Sequence, residues 1–326
     1  MREITFSKAL REALIEEMER DPNIILLGED IGVYGGVFKV TDGLLDRFGP
    51  ERVRETPISE AGFIGAAVGM AMTGKHPMAE LMFMDFAWVA GDQIFNQAAK
   101  MRYMSGGRVK VPMVIRTQQG GGRGNAAQHS QSLETVFTHI PGLKVVVPST
   151  PYDAKGLLKT AIRDENPVVF FEDKMMYNLE GPVPDEEYTI PFGVADIKRA
   201  GTDVTIVATS SMVHVALGAA DLLSEVGISA EVIDPRTMYP LDTPSLVDSA
   251  KKTSRAIVVD EGYERYGVTA EIASVMADGA FYYLDAPVKR MGAMDVPVPF
   301  SPALEDLTVP TEASVADMAK TLCGKV

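Results

Sequence analysis

Short apolar runs alternate with amphipathic helical stretches along nearly the whole chain, and few folds accept such a pattern. IILLG (24–28), MAELMF (78–83), VPMVIRT (111–117), KVVVP (144–148) and PVVFFE (167–172) are strand-like, rich in branched residues and without one consistently polar face. Between them the spacing predicts helices over 59–74, 88–104 and 151–166. An earlier helix starts at Ser7, as N-cap, carries Ala9, Leu10, Ala13, Leu14 and Met18 on its apolar face, and stops at Asp21-Pro22. Strands buried on both faces and joined by helices predict an α/β fold, a doubly wound parallel sheet. The stretch NLEGPVPDEEYTIPFGVADIK (178–198), with three prolines and an acidic cluster, continues neither pattern. Beyond it the alternation restarts with VTIVAT (204–209), SAEVID (229–234), AIVVDE (256–261) and PVKRM (287–291), separated by helices at 212–225, 243–252 and 264–278. The expected organisation is a domain at 1–180, a linker at 181–198 and a smaller doubly wound domain at 199–326.

Charge and composition narrow the function. Lys+Arg 31 against Asp+Glu 45 gives 31 − 45 = −14, which repels a phosphate backbone, so nucleic acid is not an expected partner. The single cysteine, Cys323, excludes an internal disulfide framework and suits a reducing compartment. The start MREITFSKALREALIEEMERD is charged throughout, unlike a signal peptide, and no run reaches the roughly 18 apolar residues of a membrane span. The expectation is a cytoplasmic protein without a membrane anchor.

Four places carry candidate chemistry. QQGGGRGN (118–125) follows a strand but fails both the G-x-G-x-x-G and the phosphate-loop templates; it reads as a contact loop or as a backbone nest for an anion. In TPISEAGFIGAAVGMA (56–71), Glu60 enters the first turn of a helix. It either complements the helix dipole or faces a ligand at the carboxyl end of a strand. Ala61, Gly62, Gly65, Ala66 and Gly69 would let another helix or chain pack close. His129, in AAQHSQS (126–132), has the polar neighbours Gln128, Ser130, Gln131 and Ser132 and follows a loop, whereas His76, His139 and His214 read as structural. GLLKTAIRDENP (156–167) leaves helix-terminal carbonyls beside Asp164 and Asn166, which suits either a hard cation or a solvated helix end. No His, Cys or Glu spacing supports a transition-metal site.

Taken together, TPISE (56–60), ELMFMDFAWVAGDQIFNQAAKMRYMSGG (80–107), AAQHSQS (126–132), PGLKVVVPSTPYDAKGLLKTAIRDENPVVFFE (141–172) and VPVPFSPALED (296–306) resemble the β subunit of the thiamine-diphosphate-dependent decarboxylating component of 2-oxo acid dehydrogenase complexes. ELMFMDF, THIPGLKVVVPSTPYDAKGLL and EEYTIPFG look most like acetoin dehydrogenase β subunits, with pyruvate and branched-chain enzymes next. The resemblance implies a pyrimidine-binding domain followed by a C-terminal transketolase-type domain. It implies that Glu60 hydrogen-bonds the aminopyrimidine of the cofactor, with Glu29, Ile58 and Ser59 lining the pocket and Met82 and Phe86 packing on the ring. It implies that His129 handles a proton as the acyl group passes to a lipoyl sulfur, a task suited to an imidazole. Met113, Ala161, Ile162, Asp164 and Asn166 match positions at which some members bind potassium. No G-D-G occurs, so the magnesium and diphosphate are expected on a separate α subunit, in an α2β2 assembly serving a lipoyl-bearing transacylase. A transketolase- or synthase-like half-enzyme without lipoyl transfer is the alternative.

Overall fold

The structure is a computed structural model in which residues 1–325 are described. Two compact units divide the chain: Met1–Gln119 with Val136–Phe192, and Gly120–Thr135 with the chain from Gly193 onward.

The first unit opens with β1 (Arg2–Thr5), which pairs antiparallel with β8 (Glu180–Val183). Its main sheet contains β2 (Ile24–Gly28), β3 (Val53–Glu55), β4 (His76–Leu81), β5 (Val114–Gln119), β6 (Lys144–Val146) and β7 (Val168–Asp173). They lie in the order β6-β7-β5-β4-β2-β3, every neighbour parallel. One face is covered by α1 (Phe6–Arg20) and α6 (Pro151–Ile162), where Leu10, Leu14, Met18, Leu157 and Leu158 share a core with Leu26, Met78, Val114 and Phe170. Burying each such side chain contributes about 1.5–3 kcal/mol. Leu44 of α2 (Leu44–Phe48) joins that core. The N-cap of α1 is Thr5 rather than Ser7: Thr5 Oγ1 accepts from Lys8 N at 3.3 Å. The shift has a tertiary cause, because Phe6 N and Ser7 N donate to Leu179 O and Tyr177 O, and extended backbone ends one step before them.

Against β2 and β4 packs α3 (Glu60–Met72), burying Phe63, Ile64, Ala67 and Val68. The stretch expected as one helix over 88–104 is broken into a 3₁₀ turn (Met84–Trp88), a π-helical segment (Asp92–Ala98) and α4 (Met101–Met104). Asp92 accepts from the amides of Asn96 (2.8 Å) and Gln97 (3.3 Å), and Ala99 N reaches back five residues to Ile94 O. Part of the small-residue face of α3 receives this segment: a Cβ on Gly65 would lie 3.2 Å from Gln93 Cγ, whereas Gly69 faces open space.

The sheet encloses one group of charges. Arg116 of β5, 1% exposed, pairs bidentately with Glu172 of β7 at 2.6 and 2.7 Å and with Glu80 of β4 at 2.7 Å. Tyr177 donates to Glu172 at 2.6 Å. Burial opposes charge on the guanidinium, but Glu172 and Glu80 hold it above its ordinary value.

In the second unit β9 (Asp196–Arg199), β10 (Val204–Ala208), β11 (Ala230–Asp234), β13 (Ala256–Tyr263) and β14 (Lys289–Ala293) form a sheet in the order β14-β13-β10-β11-β9. Only β9 is antiparallel; a short strand β12 (Thr237–Tyr239) follows β11. The helices α7 (Met212–Glu225) and α11 (Glu312–Leu322) bury Val213, Ala216, Ala220, Val315 and Ala316 against Ile206, Val232 and Ile257. Helices α8 (Thr243–Thr253) and α9 (Val268–Gly279) pack on each other, α8 on β10 and α9 on β13. Among the described residues no helix is long and apolar enough to cross a membrane.

Replacing Arg116 with Met leaves two buried carboxyls without their cation, a loss worth roughly 3–5 kcal/mol. The expected result is a clearly lower urea midpoint for R116M; a wild-type midpoint would show that the charges are not mutually required.

Candidate active site

All strands of the first sheet point their carboxyl ends the same way, and the residues just beyond those ends carry the candidate chemistry. Glu29 follows β2, the turn through Ile58 and Ser59 to Glu60 follows β3, and Met82 follows β4. β2 and β4 are neighbours, and the chain leaves β2 toward β3 on one side and β4 toward β5 on the other, which opens a crevice between their carboxyl ends where α/β sheets bind ligands. Thr56 N donates to Gly28 O at 2.9 Å and keeps the two strand ends together before the chain turns into α3.

Glu60 is the first residue of α3, at the positive end of the helix, and is buried. Glu29 is buried as well, with Oε1 left without a hydrogen-bond partner. Burial, then the charges of Glu60 and Asp30, push the Glu29 carboxyl above the usual carboxylate range. A buried carboxyl with an idle oxygen beside a second carboxyl fits a ligand that offers polar nitrogen edges, as an aminopyrimidine does. Met82 and Phe86 are half-buried, and Phe86 meets Phe83 edge-on at 5.9 Å, an apolar surface of the sort that packs on a ring. Ser59 precedes the helix without capping it, and Ile58 is 82% exposed. Trp88 and Val89 are exposed too, so apolar side chains from 58 and 88–89 stand open to solvent.

His129 is carried by the second unit, within Gly120–Thr135, and is half-buried. The glycine run here is a nest. Gly120, Gly122 and Gly124 have φ of +91°, +81° and +64°, values that favour glycine and that turn successive N–H groups to one side. The anions it receives are the chain's own carboxylates. Gly121 N donates to Glu261 Oε1 at 2.8 Å, and Gly122 N and Gly124 N donate to Glu305 Oε1 and Oε2, each at 2.9 Å. Of the two readings of QQGGGRGN, the nest is therefore right in form and the contact loop right in use.

The same segment is held at its far end. Ser132 Oγ donates to Glu261 Oε2 at 3.3 Å, and Thr135 Oγ1 to Tyr266 O at 2.9 Å. Glu134, which opens the short helix α5 (Glu134–Thr138), lies buried beside Asp260 of β13. Burial, then the charge of Asp260, hold the Glu134 carboxyl well above the usual range. Burial raises Asp260 also, but the Thr209 hydroxyl and Gly262 N–H donate to it, so the proton of the pair rests on Glu134. Glu134, Asp260, Glu261 and Glu305 were not legible as site residues: an acid in a first turn and three scattered acids have no sequence signature.

At the candidate cation positions the side-chain oxygens are engaged. Asp164 accepts from Asn166 N and Nδ2, each at 2.8 Å, and pairs with Lys144. Asn166 Oδ1 accepts from Arg102 at 2.6 Å. Met113 O and Ala161 O accept from Val168 N and Asp164 N, with one lone pair each still available. Oxygens left for a cation here are therefore the backbone carbonyls of Met113, Ala161, Ile162, Asp164 and Asn166. Among the described residues no group of three or more His, Cys, Asp or Glu side chains is arranged to hold a metal ion.

Residues 2–180 match the family model described as transketolase, pyrimidine binding domain, and residues 193–315 match that of transketolase, C-terminal domain. These define the class: a two-domain chain of the thiamine-diphosphate-dependent, transketolase-like type. A solved structure described as a split gene transketolase, inactive β4 tetramer, shares 27% identity, covers 98% of each chain and superposes with a TM-score of 0.80. The acetoin:2,6-dichlorophenolindophenol oxidoreductase subunit β of Bacillus subtilis is 51% identical over 99% of this chain and 98% of its own. The pyruvate dehydrogenase E1 component subunit β of Rickettsia felis is 48% identical over 98% of both chains, and the 2-oxoisovalerate dehydrogenase subunit β of Bacillus subtilis 46% over 93% of both. The chain belongs to the β subunits of the thiamine-diphosphate-dependent first component of acetoin and 2-oxo acid dehydrogenases.

A carboxyl whose folded value is raised holds its structure fully below the ordinary carboxylate range, about 4.3, and loses it as pH climbs through the raised value. The segment docked by Glu134 should thus loosen with rising pH. The expected outcome is faster tryptic cleavage after exposed Arg123 in wild type, relative to Glu134→Gln, as pH increases. Identical profiles for the two proteins would remove Glu134 as the titrating group.

Proposed function

We propose that this chain forms the pyrimidine side of a thiamine diphosphate site that an α subunit completes, in an α2β2 enzyme acting in the cytoplasm. The observation that carries the reading is the pair of buried carboxyls Glu29 and Glu60 at the carboxyl edge of the sheet, with a Glu29 oxygen unpartnered. Two further features support it. The glycine nest is filled by Glu261 and Glu305, and the sequence has no G-D-G, so the diphosphate and magnesium fall to the partner. Exposed Ile58, Trp88 and Val89 suit a surface that the partner covers.

When bound, thiamine diphosphate supplies a ring carbon able to attack a ketone carbonyl. Glu60 holds the proton at the aminopyrimidine nitrogen, with the Glu29 carboxyl beside it. Met82 and Phe86 pack on the ring and exclude water, while Ile58 and Ser59 shape the pocket wall. His129 gives and takes the proton as the acyl group moves to the lipoyl sulfur of a transacylase. The substrate is acetoin or pyruvate, as the names of the two relatives at 51% and 48% identity suggest; the 46% relative keeps a branched 2-oxo acid as the second reading. Potassium, where used, sits on the carbonyls of Met113, Ala161, Ile162, Asp164 and Asn166 and steadies the end of α6.

Reconstitution tests this. With thiamine diphosphate and magnesium the chain alone should be inert, and it should turn over acetoin, pyruvate or a branched 2-oxo acid only with an α subunit. Full turnover by the lone chain would refute the shared site. In the complex, Glu60→Ala and His129→Ala should each slow acylation of a lipoyl domain roughly 10²–10⁴-fold. Substrate oxidation with no lipoyl acylation in the wild type would favour the transketolase-like alternative.

A further inference from the structure

The nest at 120–124 is built for an anion and is closed by two acids from elsewhere in its own unit, Glu261 of β13 and Glu305 at the end of α10 (Pro302–Glu305). Glu305 is 4% exposed and uses both oxygens, one on Gly122 N and one on Gly124 N. Glu261 also uses both, one on Gly121 N before His129 and one on Ser132 Oγ after it. The loop is pinched at its neck by Gly120 N donating to Gln131 O at 3.3 Å, and His129 N donates to Ala126 O at 3.3 Å within it. His129 therefore sits in a closed loop whose first arm is fastened to both carboxylates and whose second arm is fastened to Glu261. The fit is tight: a Cβ on Gly121 would come within 3.0 Å of Glu305 Oε1.

We infer that Glu305, with Glu261 beside it, is a positioning residue for acyl transfer: its carboxylate fills the glycine nest and fixes where the His129 imidazole stands. Three N–H groups converging on ionised oxygens are charge-assisted bonds, stronger and more directional than those to a neutral acceptor. A neutral amide at 305 keeps the shape, removes the charge and turns a donor toward one of the N–H groups, so the loop relaxes although the fold stays. The inference rests on the reading of His129 given above, and it assigns Glu305 no contact with substrate or cofactor.

The experiment uses the reconstituted α2β2 enzyme with Glu305→Gln and His129→Ala, measuring two reactions for each. One is substrate oxidation by the dye 2,6-dichlorophenolindophenol, which bypasses the lipoyl group; the other is acylation of a free lipoyl domain. For Glu305→Gln the dye-linked rate should stay within about 2-fold of wild type while kcat for lipoyl acylation falls about 10- to 100-fold, with KM for the lipoyl domain unchanged, as a misplaced proton donor requires. If His129→Ala loses acylation and Glu305→Gln does not, the positioning role is wrong and the reading of His129 stands. If neither variant loses it, the reading of His129 itself falls. An equal loss in both reactions for Glu305→Gln assigns it a purely structural role and also overturns the inference. Should Glu305→Gln fail to fold or assemble, Gly121→Ala, which pushes on the same carboxylate, is read by the same two rates, with the same outcomes deciding.

Discussion

A guanidinium inside a parallel sheet ties the first unit together. Arg116 can stay charged at 1% exposure only because Glu172 and Glu80 approach from the strands on either side. Buried charges of this kind add less to stability than their Coulomb energy suggests, since desolvation offsets most of it, but they are unforgiving of misalignment. A slip of β4 or β7 by one residue would turn the partner carboxyl to the opposite face and leave Arg116 unpaired. The group thus enforces the register of β4, β5 and β7, and with it the common level at which the strands end.

That common level is what makes a site from separate turns. Glu29, Ile58, Ser59, Glu60 and Met82 come from three connections, and they share an edge because parallel strands must all be left at the same side. Burial there, and then the charges of Glu60 and Asp30, raise the Glu29 carboxyl. The pair Glu134 and Asp260 in the second unit is raised by the same physics, with the Thr209 hydroxyl and Gly262 N–H donating to Asp260.

The glycine run illustrates how a local motif is decided by distant residues. Its conformation is that of an anion-binding nest, yet acids more than a hundred positions away in the chain occupy it. The same contacts draw 120–135 out of the unit that flanks it in sequence and into the second unit, whereas continuity along the chain assigns those residues to 1–180.

Periodicity was enough to place the inner strands of both main sheets and most of the longer helices to within a few residues, because burial on both faces writes continuous apolar runs such as IILLG and VVFFE, but it did not mark β1, β8, β9, β12 or α11. Where a tertiary partner replaced a local one, the reading slipped, and the cap of α1 moved to Thr5; the stretch over 88–104 broke into shorter helical turns that no local pattern marked. Motif resemblance picked out Glu29, Glu60, Met82 and Phe86, whose chemistry is carried by short contiguous words, and the fold brings Glu29, Glu60 and Met82 to one edge. The sequence by itself determined the alternation, the two sheets, the acidic balance and the residue types at the carboxyl ends, since each depends on neighbours in the chain. Only the tertiary structure decided which acids fill the nest, which carboxyl keeps the proton and which oxygen stays idle. Those depend on distances between segments that no local pattern encodes.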